Sequence, residues 1–245
     1  MLELSDGLYL LVGVSFITSF MTAAIGVGGG IGLLAVMPQF IPISAVVPVH
    51  GLIQMVSNAS RFAFDFKSAK VEILPKYVIG CLVGAFIGYF FIGKFPEQYL
   101  SLILGFFILA ITWTKIVARL GFIFKNFALV GFFQTFLSLF VAVTGLISQP
   151  ILMKMNINKN EVIVTHAMQM SVLHGLKVAA FVIAGFAFMD YANLIIIMIT
   201  ASTLGSYLGG FLRDRISQRV GAVLLKAGVT FFGLKMIFDH FFNGL

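Results

Sequence analysis

The chain is a succession of long apolar runs joined by short polar turns. A membrane-spanning helix needs about 20 mostly apolar residues. Runs of that order lie at 8–25, 45–64, 74–93, 97–117, 162–187, 191–212 and 220–242. Two stretches are interrupted. The first, 8–41, is broken by Gly26-Val27-Gly28-Gly29-Gly30, and the second, 127–153, more weakly around Thr144-Gly145. Glycines so dense in an apolar segment mark a place where helix stops or backbones meet. Charged residues make up only 10% of the chain and hydrophobic ones 60%, against about 25% charged in ordinary soluble domains. That is too little charge to cover a water-facing surface. A soluble enzyme, a disordered chain and a free nucleic-acid binder are thereby excluded. The fold class is an all-α integral membrane protein.

The formal net charge is +7, and its distribution sets a topology. Basic residues cluster as Arg61, Lys67, Lys70 and Lys76, as Lys115, Arg119 and Lys125, as Lys154 and Lys159, and as Arg213, Arg215 and Arg219. The positive-inside rule places these in the cytoplasm. The turns 38–44 and 186–190 carry no basic residue and 93–97 carries one, so these face outside, with both termini. Glu3 and Asp6 stand where a secretory signal would carry Lys or Arg, so the N-terminus is expected to belong to the mature protein. Cys81 is the single cysteine and is expected to be inert packing. Asp190 reads as a helix N-cap, and Pro96 suits a first helical turn.

The sequence repeats itself. His50 and His166 are 116 positions apart, as are Asn58 and His174, and Arg61 and Lys177. Gly84 to Gly88 matches Gly205 to Gly209 at an offset of 121. Residues 1–119 and 120–245 therefore read as two copies of one unit, each a Gly-broken segment plus three spanning helices. An odd net number of crossings per unit inverts the second copy, an architecture recurrent in secondary transporters. A parallel repeat is the alternative, since one unexpected crossing would reverse the parity.

Each unit carries a polar stripe inside its apolar run. His50, Gln54, Ser57, Asn58 and Arg61 share one helical face, and His166, Gln169, His174 and Lys177 follow a similar one. Polar groups in lipid are costly and face a protein interior or wet cavity. The stripes hold cations and histidines but no Asp or Glu. A cation site would want carboxylates or many carbonyls, so the interior favours an anion. The second arm of each broken segment begins near Gly30-Ile31 and Gly145-Leu146. Helix N-termini there would offer unpaired N–H groups to an anion. The expected binding set is Gly28, Gly29, Gly30, His50, Gln54, Asn58, Thr144, Gly145, His166, Gln169 and His174. Arg61 and Lys177 are secondary charge candidates. Arg61 has a blander reading, as a cytoplasmic charge snorkelling to the interface. Histidine titrates near neutral pH in water, so His50 or His166 could couple a proton to the anion.

The GVGGG run and its setting resemble the sulfite exporter TauE/SafE family. The resemblance rests on Gly26-Val27-Gly28-Gly29-Gly30, Pro42, Ala45-Val46, the G-x-x-x-G of Gly84 and Gly88, and Phe95-Pro96-Glu97. It covers essentially the whole chain. The second unit departs from it, with Ala142-Val143-Thr144-Gly145 in place of the glycine motif, and Pro48-Val49 stands at a helix start where the pattern has Thr-Ser. The resemblance implies movement of sulfite, sulfonates or related organic acids across a bacterial inner membrane. The expected partners are a small anion and the lipid bilayer, with no nucleic acid, no cofactor and no metal. A homodimer could use the small-residue faces Gly84/Gly88 and Gly205/Gly209/Gly210. The rival readings are a passive anion channel, an intramembrane enzyme and a non-transporting subunit. An enzyme would need a nucleophile–base pair or a metal set, and no paired Asp/Glu or His-Glu-x-x-His occurs.

Overall fold

The computed structural model describes residues 6–26, 29–114, 126–142, 144–215 and 218–242. These residues form helices and contain no strand. In chain order they are α1 (Asp6–Ile25), α2 (Gly29–Val36), α3 (Ile43–Phe64), α4 (Leu74–Tyr89), α5 (Leu100–Trp113), α6 (Phe127–Val141), α7 (Gln149–Leu152), α8 (Lys159–Ile183), α9 (Ala192–Phe211) and α10 (Gln218–Phe242). Among the described residues, four segments are long and apolar enough to cross a membrane: Gly7–Ile25, Val71–Tyr89, Lys159–Ile183 and Phe188–Phe211. At 22 residues α3 is as long, but its polar stripe lowers its hydropathy.

The broken segments break where glycine or strain stops them. Helix α1 ends at Gly26, whose φ of +89° suits glycine, and α6 ends at Ala142, whose φ of +57° does not. The two second arms then differ. Helix α2 runs for eight residues, whereas Gly145–Ile147 is a single 3₁₀ turn leading into the four-residue α7. Pro150 sits in the first turn of α7, where its missing N–H costs nothing. The expected pair of equivalent helix N-termini is thus one α-helix and one short 3₁₀ turn. Other local signals are also corrected. Asp190 lies within the 3₁₀ turn Phe188–Tyr191 and makes no cap, since Tyr191 precedes α9. Pro96 stands just before the 3₁₀ turn Glu97–Tyr99 that opens α5. Side-chain caps form instead at Asn126, which accepts from the Ala128 N–H, and at Asn158, which accepts from the Glu161 N–H while Glu161 reaches back to the Asn158 N–H. Gly28 and the basic residues Lys115, Arg119 and Lys125 lie outside the described residues.

The helices interlock across the two halves of the chain. Helix α1 runs parallel to α9, with the backbone of Phe16 and Phe20 against Gly205 and Gly209. Helix α6 runs parallel to α4 in the same way, with the backbone of Ala128 and Phe132 against Gly80 and Gly84. A Cβ at Gly205 would stand 2.3 Å from the Phe16 carbonyl oxygen, and one at Gly84 would stand 2.4 Å from that of Phe132. The glycines thus let backbones touch. Of the small-residue faces considered for a homodimer, Gly84, Gly88, Gly205 and Gly209 pack against helices of the same chain, whereas a Cβ at Gly210 would meet only Arg213 among the described residues. Helices α3 and α8 cross the centre antiparallel. The segment after α3 meets the start of α8, where Asn160 donates to Asp65 and Ser68, and Lys70 pairs with Glu161 at 2.6 Å. Helices α5 and α10 pack antiparallel at the flank, where Trp113 Nε1 donates to Thr230.

Polarity is inverted relative to a water-soluble protein. Ile79, Phe86, Phe106, Ile196, Phe211 and Phe231 are exposed on the outer faces. Inside lie His50, Gln54, Asn58, Arg61, Gln134, Gln169, His174 and Lys177, all buried. An apolar rim around a polar centre is what lipid as solvent demands. Arg61 is therefore no snorkelling surface charge: it is 3% exposed within α3.

Candidate functional site

Where the two breaks approach α3 and α8, they line a cavity of ≈ 50 Å³. Helix α3 supplies His50, Gln54 and Asn58, and α8 supplies His166, Met170 and His174. The first break supplies Gly26, Gly29 and Gly30, with Thr22 above it. The second supplies Ala142, Thr144 and Gly145, followed by Gln149. Residues far apart in the sequence thus meet at one small polar space.

Two hydrogen bonds organise its wall. His50 donates Nε2–H to the carbonyl of Gly30 at 2.9 Å, and His166 donates Nε2–H to the carbonyl of Gly145 at 2.9 Å. Because a carbonyl oxygen only accepts, each ring carries its proton on Nε2. Each histidine reaches from a continuous helix to the break of its own half of the chain. The His50 and His174 rings meet edge to face at 6.0 Å between centroids.

The breaks are tied further by amides. Gln134 on α6 donates to the Thr144 carbonyl at 2.7 Å and accepts from the Tyr77 hydroxyl at 3.0 Å. Thr144 returns a hydrogen bond from Oγ1 to the Gln134 carbonyl. Across the halves, Gln149 Nε2 donates to the Gly26 carbonyl at 2.6 Å. Arg213 Nε donates to the Ala23 carbonyl at 2.9 Å. These donors satisfy carbonyls at the C-terminal end of α1, which the helix itself leaves without partners.

Several buried polar atoms have no partner among the described residues: His50 Nδ1, His174 Nδ1, Arg61 Nε and both amide atoms of Gln169. Buried polar groups are normally paired, so the two unpartnered histidine atoms, whose side chains line the cavity, mark room for a polar guest. No group of three or more His, Cys, Asp or Glu side chains among the described residues could hold a metal ion.

The structure brings together most of the set read from the sequence. Gly29, Gly30, His50, Gln54, Asn58, Thr144, Gly145, His166 and His174 all line the cavity. Gln169 is buried on α8 but is absent from the wall. Gly29 has a packing duty as well, since a Cβ there would lie 1.8 Å from Thr22 Oγ1. Arg61 and Lys177 lie just behind the wall. Sequence reasoning passed over Gln149, Thr22 and Gln134. The available signal was an uncharged amide inside an apolar run, which Gln134 and Gln149 both present.

Residues 11–236 match the family described as Sulfite exporter TauE/SafE. No curated protein and no solved structure matches the chain.

Proposed function

The chain belongs to the sulfite exporter TauE/SafE family, and we propose that it carries a small sulfur-containing anion through the cavity between α3 and α8. Membership supports a multi-pass membrane transporter of sulfur anions and speaks for transport over catalysis. The finer reading is sulfite or an anion of similar size, moved by alternating access across the inner membrane, with the basic turns in the cytoplasm.

One observation carries this reading: the same His-to-glycine-carbonyl hydrogen bond occurs twice around one cavity. Each bond joins a broken segment to a continuous central helix, so a movement of either half reshapes the wall. The antiparallel course of α3 against α8, and of α5 against α10, supports inverted repeats at 1–119 and 120–245. The parallel packing of α1 on α9 and of α6 on α4 supports them too. Binding falls to backbone N–H groups of Gly29 and Gly30 and to Gln54, Asn58, Thr144 and Gln149, with His50 and His166 able to donate to the anion only once Nδ1 takes up a proton. A cavity of ≈ 50 Å³ favours a compact inorganic anion over a long sulfonate. His50 and His166 are the groups placed to link a proton to the anion.

The test is flux of labelled sulfite into proteoliposomes, with and without an imposed pH gradient, competed by sulfonates, sulfate and chloride. Saturable flux that yields to small sulfur anions supports the reading. Absence of flux from correctly inserted protein refutes sulfite as substrate, and currents far above carrier turnover would replace the carrier with a channel.

A further inference from the structure

Two buried cations stand directly behind the cavity wall, at opposite ends of it. Arg61 lies one turn beyond Asn58 on α3. Its Nη1 donates to Asn58 Oδ1 at 2.9 Å and its Nη2 to Ser206 Oγ at 3.2 Å, while Nε has no partner. Lys177 lies one turn beyond His174 on α8 and is 0% exposed. Its Nζ donates to the Ala142 carbonyl at 3.2 Å. Asn58 and Ala142 both line the cavity. Each cation is therefore one hydrogen bond from the space.

Neither cation has a carboxylate partner: the salt bridges among the described residues join Lys70 to Glu161 and Lys235 to Asp239. A buried charge without a counter-charge is strongly unfavourable. Two such charges at one cavity define a site whose missing member is negative. The positions are also sided. Helix α3 ends at the face that carries Lys67, Lys70 and Lys159, and α8 ends at the opposite face, so Arg61 lies towards the basic-turn face and Lys177 away from it. Helical side chains lean towards the helix N-terminus, which tips both cations back towards the cavity. The Lys177 stem crosses α3 at Gly51, where a Cβ would stand 2.8 Å from Lys177 Cε.

We propose that Arg61 and Lys177 are the counter-charges of the transported anion, each serving its approach from one membrane face. Arg61 receives the anion from the basic-turn face, and Lys177 receives it from the opposite face. This inference rests on the carrier reading above.

The experiment is sulfite KM measured separately at each face, in proteoliposomes of known orientation. Loss of one charge-assisted hydrogen bond gives an expected rise of about tenfold in KM at the matching face, with the other face changed by less than about twofold. Arg61→Gln should raise KM at the basic-turn face and Lys177→Gln at the opposite face. Lys177→Arg and Arg61→Lys should restore most of the loss, because they keep the charge. Gly51→Ala keeps every charge and displaces only the flexible end of Lys177, so it should raise KM at the face opposite the basic turns even if Lys177→Gln fails to insert. Ser206→Ala does the same service for Arg61. Equal effects at both faces, or none, overturn the inference. Absence of flux from the unsubstituted protein overturns the carrier reading instead.

Discussion

His50 on α3 donates its Nε2–H to the carbonyl of Gly30 at 2.9 Å, at the start of α2 just after the break that follows α1. The second half repeats the bond with His166 and Gly145. The histidines thus have two separable properties, a fixed donor and a titratable ring.

Glutamine places an amide N–H near the position of Nε2 but does not titrate. His50→Gln with His166→Gln is expected to keep sulfite flux while flattening its dependence on pH. His50→Ala with His166→Ala should lose flux by about tenfold or more, because a buried carbonyl loses its donor in each half. Flux against pH in proteoliposomes decides. An unchanged pH profile in both double variants would remove the histidines from proton coupling.

Gly26 holds the first break at φ +89°. Gly26→Ala adds backbone strain of about 1–2 kcal/mol, and its Cβ would also stand 3.0 Å from Ile163 Cγ1. Thermal unfolding in detergent is expected at a clearly lower temperature. Ala142→Gly relieves the corresponding strain in the second half and should leave the transition unchanged or raise it.

The glycines of α4 and α9 are expected to differ sharply from Gly13. Gly84→Ala or Gly205→Ala drives a Cβ into a carbonyl oxygen of the neighbouring helix, and overpacking of that kind costs about 1–3 kcal/mol. Gly13 has nothing within 4 Å of its Cβ position. Gly13→Ala should stabilise by about 0.5–1 kcal/mol through helix propensity. Equal behaviour of the three variants in thermal unfolding would contradict the close packing of α1 on α9 and α6 on α4.

The Lys70–Glu161 pair joins the segment after α3 to the start of α8 at 2.6 Å. The hydrogen bond to Glu161 raises the Lys70 ammonium above its ordinary 10.5. A raised cation stabilises fully below the unfolded value and is lost only as pH climbs through the raised one. The contact is therefore constant between about pH 6 and 9. Lys70→Met is expected to leave the shape of the flux–pH profile in that range unaltered, and a changed shape would assign proton coupling to this turn.

Much of the site was readable before any tertiary contact was known. The spacing of His50, Gln54 and Asn58 put them on one face of α3, and they do line one wall. The equal offset of His166 and His174 placed their counterparts on α8. Gln169 stands off the cavity because it falls three residues after His166, whereas Gln54 falls four after His50; the equal offset lands on Met170, which does line the wall. Gln149 was missed because it opens a one-turn helix just after a 3₁₀ turn, where no period exists to assign it a face. The equivalence of the two breaks was overdrawn for the same reason.

The sequence by itself determined the apolar helices, the positions of their breaks and the polar face of each central helix. Those are local properties, set by hydropathy, by a 3.6-residue period and by glycine. The tertiary structure alone decided that Gln149 reaches Gly26, that Lys177 crosses at Gly51 and that α1 lies on α9 rather than on another copy of the chain. Apolar contact and dispersion are non-directional, so many helix arrangements satisfy the same pattern of runs. Only the close approach of particular backbones and the pairing of particular buried polar groups select one.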